Sequence, residues 1–343
     1  MDRALQASRS SFAERHIAEA SARRRRQLVA VALFALVVAC LPLFVTDVYT
    51  LNVVILTLMY LALSTGWNIL GGYCGQISLG HAIYFGIGAY GTVLLYMMAG
   101  VVPWIGLLVS AALAAGLALA LGYFCFRLAG HYYTIATIVI AEAALLLVLN
   151  WDWTGAALGL QLPFGPDSWA TLQFGRTKVP YFYFVLALSL LAWLTAWIIE
   201  GARWGYWWRA VKDDAEAAGS LGVNIFYSKM GASAISAFFT AVGGAFYALF
   251  TSYIDPNSVF GFQISLLIAL PAVLGGIGTL WGPAIGAVLL IPLGEVTRSY
   301  IGGSGSGADL VTYGALVVLV SLLRPEGLVS LLHLRKRTGG ARP

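Results

Sequence analysis

Charge is scarce in this chain. Asp, Glu, Lys and Arg make up 10% of its 343 residues, where a soluble domain carries about a quarter. That scarcity excludes an ordinary soluble globular protein. Cysteine is scarcer still: Cys40, Cys74 and Cys125 are odd in number and lie in or beside apolar runs, so they read as free, buried thiols with no disulfide frame and no metal site. There is no Walker P-loop, no His/Cys cluster at metal spacing and no Gly-x-Ser-x-Gly elbow, so we expect no soluble catalytic centre, no cofactor held by this chain and no ATP hydrolysis of its own. The roughly ten-residue alternating segments of a membrane β-barrel are missing too.

What fills the space is hydrocarbon. Sixty per cent of residues are hydrophobic, mean hydropathy is +0.83 and there are 39 glycines. This composition predicts an all-α polytopic membrane protein with close helix packing and interrupted helices. Ten spans read as roughly 28–45, 50–70, 77–98, 103–126, 132–150, 180–200, 229–252, 263–276, 281–297 and 308–323. The chain divides into a polar tail 1–26, a membrane domain 27–323 and a basic tail 324–343; within the domain lie a long outer loop, 151–179, and a long inner loop, 201–228. With the Arg23–Arg26 cluster inside, an even count puts both termini in the cytoplasm. Of the 20 basic residues, 17 then fall inside and only Arg176, Lys178 and Arg298 outside, as the positive-inside rule requires. The N-terminal run also has a faint lipoprotein-site look around Val37-Val38-Ala39-Cys40; an uncleaved first span fits better, because the leader would be long and lacks Leu three residues before the cysteine. Trp151, Trp153, Trp169, Tyr181 and Tyr183, and on the other side Trp204, Tyr206, Trp207 and Trp208, read as interfacial belts.

One polar island interrupts the interior, from Arg209 to Gly222. Asp213 with Glu216 spells a capping box and Gly222 a left-handed stop, so a helix of about two turns is expected between them. Ala217, Ala218 and Leu221 share one of its faces by spacing. Such a segment is either a solvated loop or a small docking helix for a partner's groove; local features leave both open.

A repeat is visible in Gln76-Ile-Ser-Leu79, which opens the third span, and Gln263-Ile-Ser-Leu266, which opens the eighth. Repetition after five spans inverts the second copy, giving two five-helix halves in an inverted repeat with a path between them. The glycine-dense stretches 71–80 and 274–282 fit broken helices at that path or simple close packing. Pro283 suits the first turn of the ninth span. Glu142 is a carboxylate deep in a span, where hydrocarbon makes it costly; it is either an ion site or a residue facing the bundle interior. His81 and His131 stand at helix starts.

Several of these stretches resemble one family. Gly75-Gln-Ile-Ser-Leu-Gly-His-Ala-Ile-Tyr-Phe-Gly-Ile-Gly-Ala-Tyr90, the block Arg127-Leu-Ala-Gly-His-Tyr-Tyr-Thr-Ile-Ala-Thr137 with Glu142 and Asn150, Leu274-Gly-Gly-Ile-Gly-Thr279 and Arg324-Pro-Glu-Gly-Leu328 look like signature blocks of branched-chain amino acid ABC transporter permeases, the LivM-type half in particular. Glu216-Ala-Ala-x-x-x-Gly222 is similar to the EAA-type loop by which importer permeases contact their ATPases. The resemblance spans about 50–330. It departs in the outer loop, where the family's Thr-Gly-Gly…Gly-Leu stands as Thr154-Gly155-Ala156-Ala-Leu-Gly159-Leu160, and the tail 1–26 lies outside it.

The resemblance implies an ABC type II-like importer permease in the bacterial inner membrane. It would carry half of a path for branched-chain or related neutral amino acids, beside a homologous permease. Two cytoplasmic ATPase subunits would bind ATP, and a periplasmic binding protein would deliver substrate. Asp214, Glu216, Ala217, Ala218 and Gly222 would form the ATPase contact. Gln76, Ser78, Gly80, His81, Glu142, Gly275 and Gly276 are candidates for the translocation path. The same architecture carrying an amide, urea or a small organic acid remains an alternative, as does an ion-coupled carrier using Glu142. A channel or membrane enzyme has no residue set in its favour.

Overall fold

A chain this apolar has to satisfy its backbone hydrogen bonds within each crossing segment, and in hydrocarbon only helices do that without a closed barrel. The structure, a computed structural model, describes residues 24–45, 47–128, 130–163 and 167–301, together with 311, 314, 315, 318, 322 and 327–330. It divides into a unit of residues 1–47 and a unit of residues 48–343. Eight helices among the described residues are long and apolar enough to cross a membrane.

The first unit contains α1, Arg24–Phe44; it turns at Cys40, two residues before Pro42.

The second unit begins with α2, Val48–Asn68, which widens into a π-turn at Ile69–Tyr73. Then come α3, His81–Ala99; α4, Pro103–Cys125; and α5, His131–Leu149. Two 3-10 turns and a short strand β1, Leu160–Gln161, lead to α6, Val179–Gly201. Helices α7, Arg203–Asp213, and α8, Ala215–Ser220, follow, and then α9, Ile225–Thr251. Strand β2, Tyr253–Ile254, precedes α10, Pro256–Phe260, α11, Phe262–Gly276, and α12, Gly282–Ile301. Pro283 stands in the first turn of α12, as its fixed φ suits. The tenth expected span lies largely outside the described residues; positions 311, 314, 315, 318 and 322 of it are helical.

Two helices organise the unit. Helix α2 buries Ile55, Met59, Leu63 and Trp67 completely and packs against α6, α9, α11 and α12. Helix α9 packs along α3 and α4. The α3–α9 contact is close because side chains are absent from it: a Cβ on Gly88 would strike the Ala241 carbonyl, and one on Gly244 the Phe85 carbonyl. Gly243 and Gly244 therefore pack helices and open no gap. Helix α5 is peripheral. It touches α3, α10 and α11 and leaves most of its surface free.

Connections sort to two ends. At one, β1 pairs with β2 (Leu160 opposite Ile254), Leu162 N–H donates to the Ser252 carbonyl (2.9 Å), and Trp104 Nε1 donates to the Trp169 carbonyl (2.7 Å). At the other, residues 68–80, 202–224, 277–281 and 327–330 converge. Two members of the expected belts belong to the core instead. Tyr181 is buried and donates to the Leu249 carbonyl (3.2 Å), and Trp208 is buried on the inner side of α7. Each ring finds a neighbouring helix before it reaches an interface.

Candidate functional site

Helix α7 is amphipathic. Gly205, Trp208 and Val211 face the protein, while Trp204, Tyr206 and Trp207 face outward. Arg209 anchors it, donating from Nη2 to the Glu200 carbonyl (2.7 Å) and from Nε to the Gly205 carbonyl (3.1 Å), so that the end of α6 is satisfied.

Asp214 alone separates α7 from α8. It is extended (φ −154°, ψ 107°); its N–H closes α7 on the Ala210 carbonyl (3.0 Å), and its carboxylate caps α8 by accepting from the N–H groups of Glu216 and Ala217, both at 2.9 Å. The cap is thus Asp214 and not Asp213, which the last turn of α7 has already used. At the other end Gly222 is left-handed (φ +86°); its N–H donates to Gly219 (3.0 Å) and that of Val223 to Ala218 (3.1 Å), the paired bonds of a Schellman stop. Asn224 then caps α9 through Tyr227 N–H (3.1 Å).

This geometry corrects the expected shared face. Ala218 turns inward under the Schellman bond and is 3% exposed. Glu216, Ala217, Ser220 and Gly222 stay outside, and Leu221 is 86% exposed. The result is a six-residue helix capped at both ends with a bare leucine at its tip.

The path candidates fall in three places. The first surrounds the start of α3. Trp67 Nε1 donates to the Ser78 carbonyl (2.7 Å), Thr134 Oγ1 to the Ile77 carbonyl (2.7 Å) and Leu79 N–H to Thr137 Oγ1 (3.2 Å). Ser265, from the second Gln-Ile-Ser-Leu copy, accepts from Ala82 N–H (2.9 Å). His81 is completely buried, with Nε2 2.8 Å from Ser236 Oγ. Gln76 is half-buried, and its N–H donates to the Leu70 carbonyl (3.1 Å). Ser78 and Gly80 edge a small cleft shared with Tyr84, Tyr133, Thr137 and Ser233.

The second place holds Gly275 and Gly276 at the end of α11. Asn68 Oδ1 accepts from Gly278 N–H (2.8 Å) and its Nδ2 donates to the Thr279 carbonyl (2.9 Å), tying the end of α2 to the turn after α11. Gly327 lies on Gly275 and Gly276 with no room for a side chain, and Leu328 N–H donates to the Leu274 carbonyl (3.0 Å). The third place is Glu142. It is exposed on α5, in one stripe with Ile135, Val139 and Leu146, and it touches neither of the other two places.

Sequence reasoning missed Asn68, Thr134, Thr137, Ser236 and Lys212. Asn68 carried a signal, a lone amide one turn before Gly71-Gly72; Thr134 and Thr137 lie in the 127–137 block and Lys212 in the polar island, but what they touch, like Ser236, becomes visible only through contacts between distant segments. Lys212 runs its stem along Gly75 and brings Nζ to Gly278: a Cβ on Gly75 would lie 2.9 Å from Lys212 Cγ, and one on Gly278 2.9 Å from Nζ.

The model of the family described as the permease component of branched-chain amino acid transport systems matches residues 49–321. The chain belongs to this family. Among the relatives in it, the high-affinity branched-chain amino acid transport system permease protein LivM of Escherichia coli K12 is 30% identical over 343 aligned residues, 93% of this chain and 79% of its own. LivM of Salmonella typhimurium is 29% identical over 332, and LivH of the same organism 26% identical over 294, covering 81% of this chain and 93% of its own. No solved structure matches the chain. The match, residues 49–321, runs from α2 through α12 and so covers the segment Arg203–Gly222 and the glycine-dense stretches 71–80 and 274–282.

Proposed function

We propose that this LivM-type chain forms half of the translocation path of a bacterial inner-membrane ABC importer for branched-chain or related neutral amino acids. It pairs with a homologous permease. Two cytoplasmic ATPase subunits, which bind the ATP, dock on α8, and a periplasmic binding protein delivers substrate at the opposite end. The chain needs no cofactor and performs no catalysis.

The observation that carries this reading is α8 itself. It is fixed by Asp214, Gly222 and Asn224, and it presents Leu221 outward at the end where α2 and α11 terminate. Where ATP drives the transport, it is hydrolysed on another subunit, because the sequence has no P-loop. The ten-span, N-in/C-in arrangement is supported by the distribution of basic residues, which makes the end with 202–224 cytoplasmic. The inverted-repeat reading is supported by the two Gln-Ile-Ser-Leu copies meeting at the Ala82–Ser265 bond, where the first turns of α3 and α11 come together. The tails 1–26 and 324–343 are cytoplasmic in this scheme.

Glu142 supports the paired permease. A charged side chain facing lipid at mid-helix costs about 3 kcal/mol on insertion scales, and a second subunit or a watered path over the Ile135–Leu146 stripe relieves that cost. An ion-coupled carrier would use the same residue. Reconstituting the full complex in proteoliposomes separates the readings. Leu221→Asp should abolish ATP-driven uptake at normal chain levels, while Glu142→Gln retains it. Uptake by the purified chain alone, driven by an ion gradient, would overturn the importer reading. Substrate competition with leucine, an amide, urea and a small organic acid decides the cargo class.

A further inference from the structure

Two helices end at the inner side of the docking segment, and they end alike. The α2 π-turn stops at Tyr73 and α11 at Gly276; two residues beyond each stands a left-handed glycine, Gly75 (φ +73°) and Gly278 (φ +77°). The two turns abut, since a Cβ on Gly278 would lie 2.8 Å from the Gly72 carbonyl. Lys212, the penultimate residue of α7, occupies the seam. Its Cα, Cβ and Cγ cover Gly75, and its ammonium stands at Gly278. Helix C-termini carry unsatisfied carbonyls and partial negative charge, and two of them converging make a favourable place for a cation. Only Asp213 separates Lys212 from Asp214, the cap of α8.

We propose that Lys212 is the positioning residue through which α8 controls both broken helices. Its ammonium holds the ends of α2 and α11 together, and displacement of α8 by a bound ATPase withdraws it and frees the two turns at once. This rests on the importer reading above. The charge holds the ends and the stem only fills space, so Arg replaces Lys212 and Met does not.

The test uses the complete transporter, permease pair with ATPases and binding protein, in proteoliposomes, measuring uptake and ATP hydrolysis together. Lys212 is exposed, so Lys212→Met should assemble normally and hydrolyse ATP, with uptake per ATP lowered roughly two- to fivefold, the scale of an exposed helix-terminus charge interaction. Lys212→Arg should restore the ratio. An unchanged ratio in Lys212→Met overturns the proposal, and so does an equal loss in both variants that follows only the amount of assembled complex. A wild-type complex that couples uptake to ATP in either of those cases keeps the importer reading and rejects the role of Lys212. A wild-type complex without ATP-driven uptake rejects both.

Discussion

Asn68 shows how much one buried side chain can hold. Its two bonds to 278 and 279 join segments 210 residues apart, and removing the acceptor leaves Gly278 N–H unpaired, at a cost of about 1–3 kcal/mol. Asn68→Ala should therefore lower the melting temperature of the detergent-purified chain by several degrees, and Asn68→Asp should lose at least as much, because it keeps the Oδ1 acceptor but buries a carboxylate and turns an oxygen on the Thr279 carbonyl. An unchanged melting curve for Asn68→Ala would show that the turn does not depend on it. Glycines divide in the same way. Gly88→Ala drives a methyl into the Ala241 carbonyl and should cost about 1–3 kcal/mol by overpacking; Gly116→Ala meets nothing within 4 Å and should cost nothing measurable in the same melt. The sequence shows many glycines without saying which pack and which turn. That distinction depends on the neighbouring helix, information no single stretch of sequence contains.

Helices were the most legible level. The expected 103–126, 132–150, 180–200 and 263–276 fall within a residue or two of Pro103–Cys125, His131–Leu149, Val179–Gly201 and Phe262–Gly276, because an apolar run cut to hydrocarbon thickness leaves little freedom. Short elements were less legible. Two adjacent aspartates, 213 and 214, can each cap a helix, and the choice depends on where α7 stops. Helix α10, with its Asp255–Ser258 capping box, falls in the gap between the expected spans 229–252 and 263–276, where no helix was expected. The cap assignment gives a local prediction. Asp214→Ala should speed hydrogen exchange in α8 by about fivefold, the equivalent of a cap worth about 1 kcal/mol, and Asp213→Ala should not. Equal effects from the two would return the cap to Asp213.

The two-ended arrangement is a claim about the whole molecule, and sidedness tests it. In a cysteine-replaced chain, Leu158→Cys, on the face with β1 and β2, should react with an impermeant maleimide in intact cells. Leu221→Cys should react only in inverted vesicles; both positions are exposed. Labelling of both from one side would break the topology. Which ends of which helices meet was not readable from sequence. The contacts that decide it, Lys212 with Gly75 and Gly278 or Leu328 with Leu274, join residues far apart along the chain.

Asp214 has a mechanical consequence. It ends one helix and begins the next, so no loop lies between α7 and α8 to absorb motion. If an ATPase moves α8, as proposed above, this one-residue joint is all that passes the motion to α7. Lengthening the joint by two glycines after Asp213 should leave every surface residue in place and still waste the stroke, seen as ATP consumed with little uptake.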